Sequence, residues 1–350
     1  MCLGHRHGLQ GEVPVATVHQ GGTMLDELLK KRRGEDGRSW DEIGRELGIT
    51  ADAARKRAFR AAKRESVEFI DKKEYTEHDV SDYYEALKRI NECALKCDTK
   101  QTRATIRLKD TKPIGIAFWG DMHIGALGID YEQLDADKKI ISETDGLYFA
   151  GAGDYKDNYH AIKMTDTSDQ IAPPGYQDMI VVDLFKEVGH KNLWDVVGCH
   201  DSWDHQIGDR DFVSELCHVA DAVHLWHGGI VTLHVGRQEY RIMARHKYKN
   251  ESGLNTTNTQ RNMMNDYGPC DIFAVAHKHF ADMQYTKRMG QDVIYLRSGS
   301  YKRYDEWGQK LAGYEGEHAV PVVILFPDEH RMIPFKKLRD GVEVLKLLRG

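Results

Sequence analysis

Five short apolar runs, each ending on residue types that bind metals or phosphates, constrain this chain more than any other feature. Ile114 to Trp119 ("IGIAFW") runs into "GDMHIG", and Leu147 to Ala152 ("LYFAGA") runs into "GDYKDN". Val196 and Val197 lead into Gly198-Cys199-His200-Asp201, "YRIMARHKY" delivers His246, and "DIFAVAHKH" delivers His277 and His279. Short apolar runs bounded by such turn residues predict buried strands. Open α/β sheets collect their active sites just beyond the carboxyl ends of buried strands. From Lys112 onward the pattern therefore predicts an α/β domain in which five strand ends meet at one place.

The residues at those ends suggest a chemistry. Asp121 and His123 stand at i and i+2, and His277 and His279 repeat the spacing, so each pair is expected to face one side of a loop rim. With Asp154 and His246 they supply imidazoles and carboxylates, which suit Mn, Fe or Zn rather than an all-oxygen calcium site. Six such groups exceed the needs of one ion. A bridging Asp154 would give two ions about 3.5–4 Å apart, a geometry suited to in-line attack at phosphorus.

The order of these motifs resembles the calcineurin-like metallophosphoesterase superfamily, in its nuclease-like branch. That signature runs D-x-H, G-D, G-N-H-D/E, a lone H and G-H-x-H. It is matched here by Asp121-Met122-His123, Gly153-Asp154, Gly198-Cys199-His200-Asp201, His246 and Ala276-His277-Lys278-His279. Five motifs in order, across Lys112 to Pro334, are specific where any one alone is weak. The resemblance implies a four-layer αββα sandwich over residues 112–350. It assigns Asp121, His123 and His279 to a first metal, His246 and His277 to a second, and Asp154 as the bridge. His200 would act at the scissile phosphate with Asp201 as its orienting partner, and a metal-bound hydroxide would be the nucleophile. Two divalent ions are implied, Mn foremost, with Zn, Fe or Mg compatible.

Two positions depart from the family pattern. Ala276 replaces a glycine and asks only for a backbone conformation that alanine can adopt. Cys199 stands where the family has a metal-ligating asparagine. Either the thiolate ligates, biasing the site toward Zn or Fe, or the thiol stays out and Asn158 or water takes the place. Ligation is the favoured reading. Asn158 and Arg297 are the candidate substrate contacts, with loop capping an equal alternative for Asn158. "SYKRYDEW", Ser300 to Trp307, mixes aromatics and cations near the expected rim, as stacking platforms do and as ordinary exposed loops also do.

The N-terminal part has a different texture. Residues 1–23 read as a disordered lead-in, with Met24 an alternative start. Over residues 24–66, Ser39 is placed to cap a helix with Trp40, Ile43 and Leu47 on its apolar face, Gly48 to break it, and Thr50 to cap a second helix. Ala54, Ala58 and Phe59 are available to pack inward, while Arg55, Lys56, Arg57, Arg60, Lys63 and Arg64 make the second helix basic. This resembles a small all-α helix-turn-helix domain that contacts DNA; a helical bundle with a solvated basic face is the plainer alternative. Residues 67–111 read as a helical linker, with Cys93 and Cys97 as helix residues and a role in packing or homo-oligomerisation.

Composition narrows the partners. A net charge of −6 argues against wholesale coating of nucleic acid, so any DNA contact must come from segregated charge. Six cysteines spread over 350 residues fit a reducing cytoplasm better than a disulfide scaffold, and no apolar run approaches the roughly 20 residues that span a bilayer. The expected activity is a metal-dependent phosphodiester hydrolase, most concretely a DNA nuclease. The alternatives are a small-molecule phosphodiesterase or protein phosphatase, or a DNA-binding protein with a vestigial catalytic domain.

Overall fold

The computed structural model describes residues 37–66, 77–98, 100–160, 169–252, 254–304 and 317–350. The expected lead-in 1–23 lies outside them, as do residues 24–36, 67–76 and the Asp305 to Trp307 end of "SYKRYDEW". The chain divides into two compact units, Met1–Cys97 and Asp98–Gly350.

In the first unit, α1 (Trp40–Leu47) begins at a capping box: Ser39 Oγ accepts from Glu42 N, and Ser39 N donates to the Glu42 carboxylate at 2.8 Å. Gly48 ends the helix at φ 67°, a left-handed conformation that glycine adopts without a Cβ penalty. Thr50 Oγ1 then accepts from Ala53 N at 3.2 Å, and α2 (Ala51–Ser66) follows. Ile43, Ala54 and Ala58 are buried together, with Trp40, Leu47 and Ile49 packed on them. Phe59 is a correction, since it is 69% exposed. Ala54 and Ala58, one turn apart, define the buried stripe, and the next residue points about 100° away from it. The helix α3 (Glu77–Cys97) carries Cys93 and Cys97. It does not run on to residue 111: Arg103–Leu108 is a strand, β1, because Ala104, Ile106 and Leu108 alternate with polar residues at the strand period.

The second unit contains two six-stranded sheets. One has β2 (Ile114–Trp119), β3 (Leu147–Gly151), β4 (Asn192–Asp195) and β5 (Val223–His224) paired in parallel, with β11 (Val322–Leu325) and β12 (Met332–Phe335) added antiparallel beyond β2. The other runs β1, β6 (Gly229–Val235), β7 (Gln238–Ala244), β8 (Ile272–Val275), β10 (Gln291–Arg297), β9 (Asp282–Arg288), with β7 and β8 parallel.

Strand alternation builds the layers. In β2, Ile114, Ile116 and Phe118 pack into a core shared with Leu233, Ile242 and Ile294 of the other sheet, while Ala117 and Trp119 face a separate core. That outer core is closed by residues of α4 (Tyr131–Glu143), α5 (Pro174–Val188), α7 (Phe212–Ala220) and α9 (Leu338–Arg349), chain order leaving α6 as Ser202–Gly208. On the far side, Met263 and Met264 of α8 (Asn258–Tyr267) cover Met243, Phe273 and Tyr295. The result is helix, sheet, sheet, helix, the αββα arrangement expected. Central strands such as β2 and β8 are buried on both faces and therefore read as continuous apolar runs.

Candidate metal centre

The segments that leave β2, β3 and β4 of one sheet and β7 and β8 of the other carry all seven expected metal ligands. Among the described residues, four overlapping groups of three have donor atoms within 4.8 Å of one another: Asp121, His123, His279; Cys199, His246, His277; Asp121, Asp154, His246; and His123, Asp154, His200. Asp121, His123, Asp154 and His246 are at most 2% exposed.

The way the backbone presents these groups differs from the simple strand alternation. Asp121, His123, Asp154, His277 and His279 all have positive φ, from 47° to 75°. Each is a left-handed non-glycine conformation that costs on the order of 1–3 kcal/mol, tolerated best by Asp, Asn and His and concentrated at functional sites. The pairs converge because tight turns aim them. Ser300 Oγ and Tyr301 N both donate to the Asp121 carbonyl, at 2.8 and 3.2 Å, which pins the first turn. Gly198 allows the β3 and β4 turns to touch, since a Cβ there would lie 2.1 Å from Asp154 N. Ala276 stays outside the left-handed region, so the departure from glycine costs nothing in φ.

Donor geometry is consistent with cation binding. His123 Nε2 and His279 Nε2 are 2.9 Å apart, close to the roughly 3 Å expected between two nitrogens bound at 2.0–2.1 Å to one ion. Asp121 Oδ1, buried without a hydrogen-bond partner, lies 4.0 and 3.8 Å from those nitrogens. Asp154 Oδ2 stands between the two groups, 3.9 Å from His123 Nε2 and 3.0 Å from His246 Nε2. His246 Nδ1 contacts the Ala152 carbonyl at 2.8 Å, so it carries the proton and leaves Nε2 as the donor atom.

Charge points the same way. Burial pushes the Asp121 carboxyl up to about 8, with the Asp154 charge adding to the rise and His246 opposing it. Burial also holds His123 and His279 well below the usual imidazole range and His277 down at about 3, which keeps their lone pairs available at neutral pH. Burial would raise Asp154, but the neighbouring His246 and His200 outweigh it and hold the carboxyl well below its usual range. Burial likewise opposes the charging of His246, yet Asp154 keeps it well above. Buried carboxylates and imidazoles whose donor atoms converge this closely fit divalent cations, which would displace the protons that Asp121 and His246 hold without them.

The remaining expected residues divide. His200 Nδ1 contacts the Asp157 carbonyl at 2.6 Å, and its ring lies against Trp203, tilted by 33° with centroids 4.1 Å apart, with Tyr159 edge-on at 5.3 Å. Asp201 is a correction: instead of orienting His200, it accepts from Asp154 N at 2.7 Å, Gly198 N at 3.0 Å and Tyr155 N at 3.2 Å. A buried carboxylate satisfied by three backbone donors clamps the turns rather than the ring. Asn158 is a second correction. Fully buried, it donates its amide hydrogens to the His200 carbonyl and Asp204 and accepts from His160 Nε2 at Oδ1, so it neither faces substrate nor fills the place of Cys199. Arg297 is a third, its guanidinium buried against the Ala276 carbonyl at 2.6 Å and Glu251 at 3.3 Å, where it braces the His277 turn away from any substrate. Tyr301 and Lys302 are also buried. Tyr301 links Trp119 Nε1 to Asp137, and Lys302 Nζ lies 3.5 Å from Asp157.

Sequence reasoning missed Asp157, whose Oδ1 is 3.4 Å from His123 Nδ1, and Glu251, whose Oε2 is 3.7 Å from His277 Nε2. Asp157 sits three residues past Asp154 in "GDYKDN", which was a usable signal; Glu251 had none. Arg55, Lys56, Arg57 and Arg60 are exposed on α2, and the first two pair with Asp52 at 2.8 and 2.7 Å. The side chains of Lys63 and Arg64 lie outside those described. No helix among the described residues is long and apolar enough to cross a membrane.

Sequence comparison matches no protein-family model and no curated protein. Solved structures with similarity to this chain include Vacuolar Protein Sorting 29 from Cryptosporidium parvum, 14% identical, covering 65% of this chain and 100% of that one at a TM-score of 0.36. The calcineurin-like phosphoesterase YfkN from Bacillus subtilis is 8% identical over 69% of this chain and 100% of that one, at 0.34. Vps29 from Entamoeba histolytica, solved with Zn2+, is 10% identical over 63% and 98%, at 0.28.

Proposed function

We propose that this chain is a calcineurin-like metallophosphoesterase that hydrolyses phosphodiester bonds, with DNA as its substrate. The observation that carries the chemistry is the convergence of Asp121, His123, His279 and Cys199, His246, His277 on the two sides of Asp154. Asp121, His123 and His279 would hold one divalent cation, His246, His277 and Cys199 the other, and Asp154 would be shared. Bound there, two cations supply Lewis acidity toward phosphoryl oxygens and toward water.

The other polar groups act on the proton and on position. A carbonyl only accepts, so the His200 Nδ1 contact keeps a proton on that nitrogen and leaves Nε2 to exchange the second. As imidazolium, His200 would protonate the leaving oxygen from Nε2, and the imidazole left behind would regain its proton from solvent. Trp203 and Asp157 hold the ring in place for that exchange. Asp201 and Gly198 fix the turns that bring His200 and Asp154 together, His200 N donating to Asp154 Oδ1 at 2.7 Å.

Support for DNA comes from α2. Arg55, Lys56, Arg57 and Arg60 are exposed on a helix that follows α1 after a three-residue connection, as in helix-turn-helix modules. Exposed ion pairs of the Asp52 kind are screened by solvent, so Arg55 and Lys56 can exchange that carboxylate for phosphate at little cost.

Cleavage of single-stranded, double-stranded and branched DNA, with Mn2+, Mg2+, Zn2+ or no metal, tests the reading, alongside an aryl phosphodiester. Metal-dependent DNA cleavage that falls about 10²–10⁴-fold in His200→Ala is the expected result. Hydrolysis of the aryl ester without any DNA cleavage would overturn the substrate, and hydrolysis of neither would overturn the chemistry.

A further inference from the structure

The geometry points to two unequal cation positions, the second of which is selected for a thiolate-accepting ion, Zn2+ or Fe2+, by Cys199. This inference rests on the metal-centre reading above and deepens it. Cys199 is half-buried, and its Sγ belongs to a group with His246 and His277 whose donor atoms all lie within 4.8 Å of one another. The ring of His246 points into the same place: it is 2% exposed, and with Nδ1 committed to the Ala152 carbonyl its Nε2 is turned into the cluster. Asp154 Oδ2, 3.0 Å from that Nε2, completes a set of one sulfur, two nitrogens and one oxygen.

Such a set is the donor chemistry of zinc-type sites, which take cysteine, histidine and carboxylate ligands in fours. Around the other position stand Asp121, His123, His279 and the shared Asp154, two carboxylates and two imidazoles with no sulfur. Thiolate is a soft ligand that favours Zn2+ and iron, whereas oxygen-rich sets accommodate Mn2+ and Mg2+. The two positions therefore differ in softness, and the difference rests on one side chain. Binding at the second position releases the thiol proton to solvent as the sulfur–metal bond forms, so no oxidant or reductant is involved.

The test uses the full chain stripped of metal and titrated with Co2+, whose bond to thiolate gives a near-ultraviolet sulfur-to-metal charge-transfer band. The wild type is expected to show that band as one of two bound ions enters, and both Cys199→Ser and Cys199→Asn are expected to lose it while keeping the visible bands of the other ion. In dialysis against equal Zn2+ and Mn2+ followed by metal analysis, Cys199→Asn is expected to lower the Zn2+ preference of one position at least tenfold. X-ray absorption on the zinc-loaded wild type reports sulfur at the metal without any variant, so a variant that folds poorly does not remove the test. Two ions bound with no sulfur signature, or a band that survives in both variants, would overturn this inference alone. Failure of the wild type to bind any divalent ion would overturn it together with the metal-dependent function.

Discussion

Asp157 meets two rings of the candidate site at once: its carboxylate faces His123 Nδ1 at 3.4 Å, and its backbone carbonyl accepts from His200 Nδ1 at 2.6 Å. Carboxylates behind ligand imidazoles set their tautomer and raise their basicity, and losing one costs about 10–100-fold in metal affinity or activity. Asp157→Asn should show a loss of that size in a metal titration. Because the carbonyl is untouched, the His200 contact should survive, and a further loss of phosphodiester hydrolysis at saturating metal would mean the side chain acts on both rings. Asp195 gives a pH prediction away from the metals. Burial raises its carboxyl to about 6, partly offset by hydrogen bonds from Tyr155, Asn192 and Cys217. A raised carboxyl binds its proton more tightly when folded, so its stabilising contribution is complete below about pH 4 and lost as pH rises through about 6. A two-unit rise corresponds to about 3 kcal/mol. Urea unfolding of wild type and Asp195→Asn between pH 4 and 7 should show the wild type losing stability relative to the variant on that scale as pH rises, and parallel curves would refute the assignment.

The strands were legible because their residues are buried on both faces, so "IGIAFW" and "DIFAVA" stand out as apolar runs whatever follows them. The turns were not. That Asp121, His123, Asp154, His277 and His279 are left-handed follows from backbone contacts such as those of Ser300 and Tyr301 to the Asp121 carbonyl, 179 and 180 positions along the chain. No local pattern encodes a partner so distant. Likewise Asn158 and Arg297 have the chemistry of phosphate contacts, and only their burial against Asp204, Ala276 and Glu251 reveals that they brace turns. Gly198 tests this view of the elements. Its missing Cβ admits Asp154 N, so Gly198→Ala must push the β3 and β4 turns apart at a cost of about 1–3 kcal/mol. Thermal unfolding should register that loss, and cation affinity should fall with it, since Asp154 rides on the displaced turn. Unchanged affinity in a destabilised variant would show that the bridging position tolerates movement.

At the scale of the whole chain, the acidic balance and the basic helix have to be reconciled. A net charge of −6 repels nucleic acid in general, so the proposed affinity for DNA would have to come from the cations gathered on α2, in the unit ending at Cys97, while the candidate metal ligands all lie in the unit beginning at Asp98. The sequence boundary near Lys112 fell late because β1 is a lone edge strand of mixed polarity, which looks like linker until its pairing with β6 is known. The division of labour between units makes a quantitative prediction. Each cation that neutralises a phosphate releases a counterion, so the slope of log affinity against log salt falls by about 1 for each such contact removed. Arg57→Gln and Arg60→Gln together should therefore flatten the slope for duplex DNA by about 2 and weaken binding at low salt. Hydrolysis of a small aryl phosphodiester, which has no need of α2, should be unaffected. An unchanged slope with intact DNA cleavage would place the nucleic-acid contacts on the unit beginning at Asp98, and loss of aryl ester hydrolysis would show that α2 supports the catalytic unit itself.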